Sequence, residues 1–275
     1  MKHIFVPDTQ IRPGVPTDHI NWISEYILEK QPDKIIVGGD WWDFPSLSSH
    51  EAPGSLALEG ARVQDDVYVG NEAFKRFSTP IKNEIQRQKK NKRKNPWTPE
   101  CAFLFGNHEN RADRAASTSA KLEGIIGSDK CDIQYFTGYP FLQIAWLDQI
   151  AYSHFFQNPH SGKPIGGTAQ NRITRIGSSF VQGHQQGLDY GTKLMGSGRT
   201  LTGVIAGSAY VHVENYRGNQ GQRHFRGIIA LNEVNDGEFF PMAVSLDFLC
   251  RKYENMSLYR YHCAKYPSMN WEHLK

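Results

Sequence analysis

Five short apolar runs in this chain each end in a cluster of polar side chains. KHIFV leads to Asp8 and Gln10, KIIV to Gly39, Asp40 and Asp43, and CAFLF to Gly106, Asn107, His108 and Glu109. QIAY leads to Ser153 and His154, and SSFVQ to Gly183, His184, Gln185 and Gln186. Side chains two apart leave a strand on the same side, so Asp8 and Gln10 can address one shared object. In open α/β sheets ligands bind beyond the carboxyl ends of the strands, which would bring the five loops to one crevice. Carboxylates, an Asn amide and several imidazoles form a mixed oxygen and nitrogen set suited to Mn²⁺, Fe²⁺, Zn²⁺ or Ni²⁺. A lone Gly-Asp or a lone His says little; the ordered series carries the signal. The glycines permit tight strand-to-loop turns.

The elements that must position these residues are legible in outline. KHIFV reads as a first strand, and Asp18 offers an N-cap for a helix whose stripe is Ile20, Ile23 and Ile27, ended by Pro32. KIIVGGD is a second strand, and residues 45–55 a loop with two prolines. Val63, Val67, Phe74 and Phe77 share a helical face, and Pro80 can open a second helix at its first turn. CAFLF is a third strand. Strand, helix, strand, helix, strand implies an α/β sheet with crossover helices. Past residue 130, FLQIAWL, QIAYSH, SSFVQGH, GVIAG, RGIIALNEV and MAVSLDFL recur as strand-like runs, and GTKLMGSGRTLTG reads as a mobile loop. With no repeat and no linker tract, one domain over residues 1–275 is expected, with a tyrosine-rich, charged tail from about residue 250 of unassigned role.

Composition narrows the class. At 275 residues with 39% hydrophobic and 12% aromatic side chains, the chain can build a large core. No run reaches the length of a membrane span and the N-terminus has no signal pattern, so a soluble cytoplasmic protein is expected. Cys101, Cys131, Cys250 and Cys263 are scattered without a Cys-x-x-Cys pair, which favours free thiols in a reducing compartment. The net charge of +3 names no partner. Between Lys82 and Lys94 there are seven basic residues and one acid, either a solvated helix end or a contact for phosphate backbones.

The order D-x-Q, G-D-x-x-D, G-N-H-E, H, G-H-x-Q over residues 8–186 resembles the calcineurin-like metallophosphoesterases, and the chain's character is most similar to phage-encoded members, which would act in a host cytoplasm. The resemblance implies a two-sheet mixed β sandwich flanked by helices, in the α/β (α+β) class, holding two metal ions. It implies that Asp40 bridges the ions and that Asn107, His154 and His184 complete one site with it. Asp8 would belong to the other site. His108 would contact the scissile phosphate and protonate the leaving oxygen, with Asp43 orienting it. The family has His where this chain has Gln10 and Gln186, and by that assignment both departures fall on the site that keeps Asp8. An amide oxygen suits harder ions better than borderline ones. One tight and one weaker site are therefore expected, with Mn²⁺ the leading cofactor and Mg²⁺, Ni²⁺, Fe²⁺ or Zn²⁺ as alternatives; His160 or His212 is the other candidate to fill the gap.

The expected reaction is hydrolysis of a phosphodiester of a nucleic acid or nucleotide. Trp41, Trp42 and Phe44 could stack on bases or pack in the core. Arg111 and Arg114 could clamp phosphate or simply face solvent, and Arg172, Arg175 and Arg199 add basic character. Phe44 follows Asp43 where the Ser/Thr phosphatase branch has Arg-Gly, which favours a diester. The alternatives are a degenerate member that binds nucleic acid or protein, and a phosphomonoesterase for a small molecule.

Overall fold

A computed structural model of the chain describes residues 1–48, 55, 58–214 and 218–275. Of the expected loop at 45–55, residues 49–54 lie outside the described residues. One mixed sheet has the order β11-β10-β1-β2-β3-β4, where β1 is His3–Val6, β2 Lys34–Val37, β3 Glu100–Leu104, β4 Thr137–Tyr139, β10 Gly227–Asn235 and β11 Glu238–Ser245. A second mixed sheet has the order β5-β6-β7-β9-β8, from Ala145–Leu147, Ile150–Ser153, Phe180–Gln182, Thr200–Ala206 and Leu188–Leu194. Strands β1, β2 and β3 run parallel, as do β6, β7 and β9, while β10, β11, β5 and β8 pair antiparallel.

Alternation along the strands builds the layers. Ile4 and Val6 point out of β1 into a core shared with helices α1 (His19–Lys30), α2 (Val63–Lys90) and α5 (Leu246–Glu254). Phe5 points the other way, into a core with Ile36, Leu104, Tyr152, Val181 and Val204 that lies between the sheets. On the far side, Phe180 and Ile205 pack against Ile173 of α4 (Ala169–Ile176). The expected sandwich flanked by helices is what the chain forms. Strands buried on both faces read as unbroken apolar runs, which is why KHIFV and KIIV stood out.

Four local expectations change. Asp18 stands before α1 but makes no side-chain cap; its carboxylate instead accepts from Lys265 Nζ at 2.6 Å and Tyr266 OH at 2.6 Å. Helix α2 runs through Pro80 without a break. Proline leaves the Arg76 carbonyl without its helical donor, and the adjoining turn is tied to its neighbours: Ser24 Oγ donates to Phe77 O at 2.9 Å and Tyr135 OH to Ser78 O at 3.3 Å. GTKLMGSGRTLTG is not a loop but the end and turn of the β8–β9 hairpin, with Leu194 opposite Thr200. LDFL begins α5 instead of ending a strand, because Ser245 caps it by accepting from Phe248 N.

The tail packs on α1. Trp22 Nε1 donates to Glu254 Oε1 at 2.8 Å and its ring meets Tyr261 edge-on at 5.1 Å, with α6 (Leu258–Lys265) behind. All four cysteines are free.

Candidate active site

The parallel strands of both sheets end at one crest, and backbone bonds between the sheets stitch it together. His184 N, beyond β7, donates to Asp8 Oδ1 at 3.0 Å, and Ala209 N, beyond β9, donates to Asp8 O at 2.8 Å. His154, beyond β6, places Nδ1 2.8 Å from Gly38 O. Asp8, Gln10, Asp40, Asp43, His108 and His154 are all buried.

Two observations explain how side chains so short can meet. Gln10, Asp40, His184 and Gln186 all adopt left-handed backbone, with φ of +43°, +51°, +67° and +56°. Each such residue costs of order 1 kcal/mol or more and persists where its surroundings fix it. Asp8 and Gln10 do not alternate as strand neighbours, since β1 ends at Val6 and Gln10 has left-handed backbone. The second observation concerns glycine. A Cβ at Gly106 would lie 2.2 Å from Asp40 Oδ1, and one at Gly183 2.3 Å from Asp8 Oδ1. Both glycines are there for close approach of a carboxylate.

Asp40, Asn107, His154 and His184 come together. His154 Nε2 lies 3.2 Å from Asp40 Oδ2 and 2.9 Å from Asn107 Oδ1, which also meets His184 Nδ1 at 2.8 Å. Ligand atoms of Asp40, His154 and His184 all fall within 4.8 Å of one another. Both ring nitrogens of His154 face acceptors, which favours the doubly protonated ring while no ion is bound. Burial opposes that charge, but Asp40 and Asp8 outweigh it and lift His154 to about 10. Burial would likewise raise Asp40, and the imidazoles of His108 and His154 outweigh it and hold the carboxyl far below its usual range. Burial lifts Asp8 to about 6 against His154, and burial followed by His154's charge lowers His184 to about 4. A divalent ion among these atoms would take over the balancing role of the His154 proton.

The residues fit such an ion. Among the described residues, Asp8 Oδ2 and both side-chain polar atoms of Gln10 are buried with no hydrogen-bond partner. An unpaired buried acceptor is costly unless something completes it. Gln186 differs from Gln10: its Oε1 accepts from Tyr210 OH at 2.8 Å. His160 is exposed on a turn far from this role, with its backbone N bonded to Asn158 Oδ1. His212 is buried near Asp43, but its Nε2 is taken by Glu214 Oε1 at 2.6 Å.

Beside the ion-binding group, His108 Nδ1 pairs with Asp43 Oδ1 at 2.8 Å, while its Nε2 lies 3.6 Å from Asp40 Oδ2. Burial would discharge His108, but Asp40 and then Asp43 outweigh it and raise its pKa; burial likewise opposes Asp43, which His108 and Arg12 bring down to about 2. Arg111 donates to Asp43 O at 2.9 Å, sits 3.1 Å from His108 Nε2, and with Leu47, Arg114, Ala115 and Thr118 lines a cavity of 180 Å³.

Several expectations about substrate contacts are corrected. Trp41 cannot stack on a base, because it and Trp42 are fully buried; Trp41 donates from Nε1 to Gly70 O at 3.1 Å and packs against Phe74 and Phe77. The basic run ends α2 at the opposite end of the sheet, where Trp97 Nε1 reaches Pro32 O at 2.7 Å. Arg172 is buried and bonds Gly167 O, and Arg199 pairs with Asp236. A sixth loop, after β9, brings Tyr210, His212 and Glu214; the sequence offered His212 only as a stand-in ligand and gave Tyr210 and Glu214 no part. The signal was there in GVIAGSAYVHVE, an apolar run closed by a glycine and then His-x-Glu. It also gave Glu109 no task. Glu109 is fully buried and accepts from Asp40 N at 3.0 Å, Gly106 N at 2.8 Å, Trp41 N at 2.6 Å and Trp42 N at 3.1 Å.

No protein-family model matches this chain, and no curated protein matches it. Among solved structures, Yfce, a phosphoesterase from E. coli, is similar at 11% identity and a TM-score of 0.38, covering 89% of this chain and 100% of its own. A conserved uncharacterized protein (predicted phosphoesterase) from Streptococcus pneumoniae TIGR4 is similar at 11% identity and a TM-score of 0.31, covering 88% of this chain and 97% of its own. Likeness that low leaves function to be read from the site's own residues.

Proposed function

We propose that this protein is a metal-dependent phosphoesterase that hydrolyses a phosphodiester of a nucleotide or nucleic acid. The observation that carries the reading is the His108–Asp43 pair at 2.8 Å beside the Asp40, His154 and His184 group, because neither member of that pair belongs to that ion-binding group. Asp40, Asn107, His154 and His184 would hold one divalent ion, and Asp8, Asp40 and the Gln10 amide a second, oxygen-rich and weaker one. Mn²⁺ suits both donor sets. When bound, such an ion offsets phosphoryl charge and makes water a nucleophile at neutral pH.

The chain's own residues supply the rest. Asp43 accepts from Nδ1 of His108 and keeps the other nitrogen turned toward Asp40, where a phosphate would lie. A proton on Nε2 can then pass to the leaving oxygen, a contribution of about 10²- to 10⁴-fold for general acids. Arg111 can trade its contact with His108 Nε2 for a phosphate oxygen, matching its fork to that group. The diester preference rests on Phe44 following Asp43. With the tryptophans buried and the basic run at the far end, nothing favours a polymer over a nucleotide.

The test is hydrolysis of bis(p-nitrophenyl) phosphate beside its monoester, by protein stripped of metal and titrated with Mn²⁺, Mg²⁺, Ni²⁺ and Zn²⁺, with His108→Ala as control. Metal-dependent turnover that favours the diester is expected, and because p-nitrophenolate leaves without a proton, His108→Ala should slow a nucleoside 5′-ester far more than this substrate. Silence with every ion would support the second reading, a binding protein, which Gln10 and Gln186 favour.

A further inference from the structure

We infer that Arg12, anchored by Glu214, is a positioning residue that sets the proton-donating geometry of His108 through Asp43. The inference rests on the phosphoesterase reading and deepens it.

Asp43 has two carboxylate oxygens, and both are spoken for. Oδ1 takes the proton of His108 Nδ1 at 2.8 Å, and Oδ2 accepts from Arg12 Nη1 at 3.1 Å. Without the second contact the carboxylate could rotate about its own bond and carry the imidazole with it. Arg12 is fixed in turn. Its Nη1 lies 3.4 Å from Glu214 Oε1 and its Nη2 donates to Val213 O at 3.1 Å. Glu214 is itself buried, with Oε1 held by His212 Nε2 at 2.6 Å and its backbone N donating to Gln222 Oε1 at 3.2 Å. The His212 ring stacks on Tyr210 at 4.4 Å, and Tyr210 reaches the Gln186 amide. The loop after β9 thus braces the acid delivered by the loop after β3.

The planar fork of arginine suits this task, since it bonds two carboxylates and a carbonyl at once. A metal ion at Asp43, His212 and Glu214 is the competing reading of the same three ligands. The Arg12 guanidinium already supplies the positive charge there, so no cation is called for.

A residue that acts through the general acid has a signature. Its loss should matter little when the leaving group departs without a proton and greatly when it does not. We expect Arg12→Ala to leave p-nitrophenyl esters nearly untouched while slowing kcat on methyl or nucleoside 5′-hydroxyl esters about 10- to 100-fold, KM changing little. Arg12→Lys, with one compact charge, should recover part of the loss, and Glu214→Gln should show a smaller loss of the same pattern. In a His108→Ala background, removing Arg12 should cost nothing further. Equal slowing on every leaving group, or a full loss persisting without His108, would overturn the relay. Far-ultraviolet circular dichroism identifies any variant that fails to fold, and Glu214→Gln then stands in for it. If wild-type turnover is absent, the phosphoesterase reading falls, and NMR of the His108 Nδ1 proton judges the relay alone. Protection from exchange in the wild type and its loss in Arg12→Ala are expected; equal protection refutes it.

Discussion

Replacing Glu109 with glutamine changes one atom at the centre of the site's scaffold. The carboxylate takes two backbone N–H groups on each oxygen: Trp41 and Trp42 on Oε1, Asp40 and Gly106 on Oε2. Burial, then the charge of Asp40, pushes this acid up to about 7, and four donors hold it in place against that push. In Glu109→Gln one oxygen can still serve two donors, but the new NH₂ faces the other two and leaves them unpaired. A buried group left unsatisfied costs about 1–3 kcal/mol, so two cost roughly 2–6 kcal/mol. For a chain of 275 residues each kcal/mol moves the thermal midpoint by about 2 °C, giving a drop of roughly 4–12 °C. Differential scanning fluorimetry of the metal-free protein measures it, and circular dichroism confirms that the variant folds. A midpoint unchanged within about 1 °C would show that the donors find other partners and that Glu109 is not the brace of the Asp40 loop.

Three further outcomes follow from particular contacts. Gly183→Ala drives a Cβ to 2.3 Å from Asp8 Oδ1, so calorimetric Mn²⁺ titration should lose the weaker ion and keep the tighter one; two unchanged binding events would count against Asp8 as a ligand. Ser24→Ala removes the hydrogen bond from α1 to the Phe77 carbonyl of α2 at 2.9 Å, and should lower stability by about 1 kcal/mol in urea, with no change showing that this bond adds nothing to the helix–helix contact. His3 is fully buried between Tyr152 at 2.6 Å and Asp148 at 2.8 Å, and burial outweighs Asp148 to lower its pKa from 6.5 to about 4. Between those values the unfolded chain binds a proton that the folded one does not. Its contribution is complete above pH 6.5 and is lost as pH falls toward 4, about 3 kcal/mol in all. His3→Gln should flatten that part of the pH–stability curve, and equal slopes in the two proteins would disprove it.

What the sequence made legible was whatever a short window contains. β1, β2 and β3 are buried on both faces, so each is an apolar run bounded by polar turns, and the site residues sit directly after them. Several misreadings share one cause, a partner distant in the chain. Pro80 looks like a helix start until the contacts that Ser24 and Tyr135 make with its turn are seen. Asp18 looks like a cap unless Lys265 and Tyr266 are known to compete for it. Trp41 beside a site aspartate looks like a stacking platform until α2 is laid over it. Arg12 follows Gln10 by two residues, and nothing local names Asp43 as its partner. The loop after β9 follows the pattern of the other five, yet from it only His212 entered the expected site.

The two glutamines looked alike in the sequence, and the fold separates them. Gln186 bonds Tyr210, whose ring lies on His212, so its amide belongs to the brace that runs through Glu214 and Arg12 to Asp43. Gln10 is buried with neither amide atom paired, next in line after the unpaired Asp8 Oδ2. The buried Asp8 Oδ2 and the Gln10 amide, which have no hydrogen-bond partner among the described residues, are acceptors that a hard cation would complete, and the loops that carry them and Asp40 are set by left-handed residues. Next to Asp40, His108 and Asp43 make a short hydrogen bond braced by Arg12, a contact suited to proton transfer and separate from those acceptors.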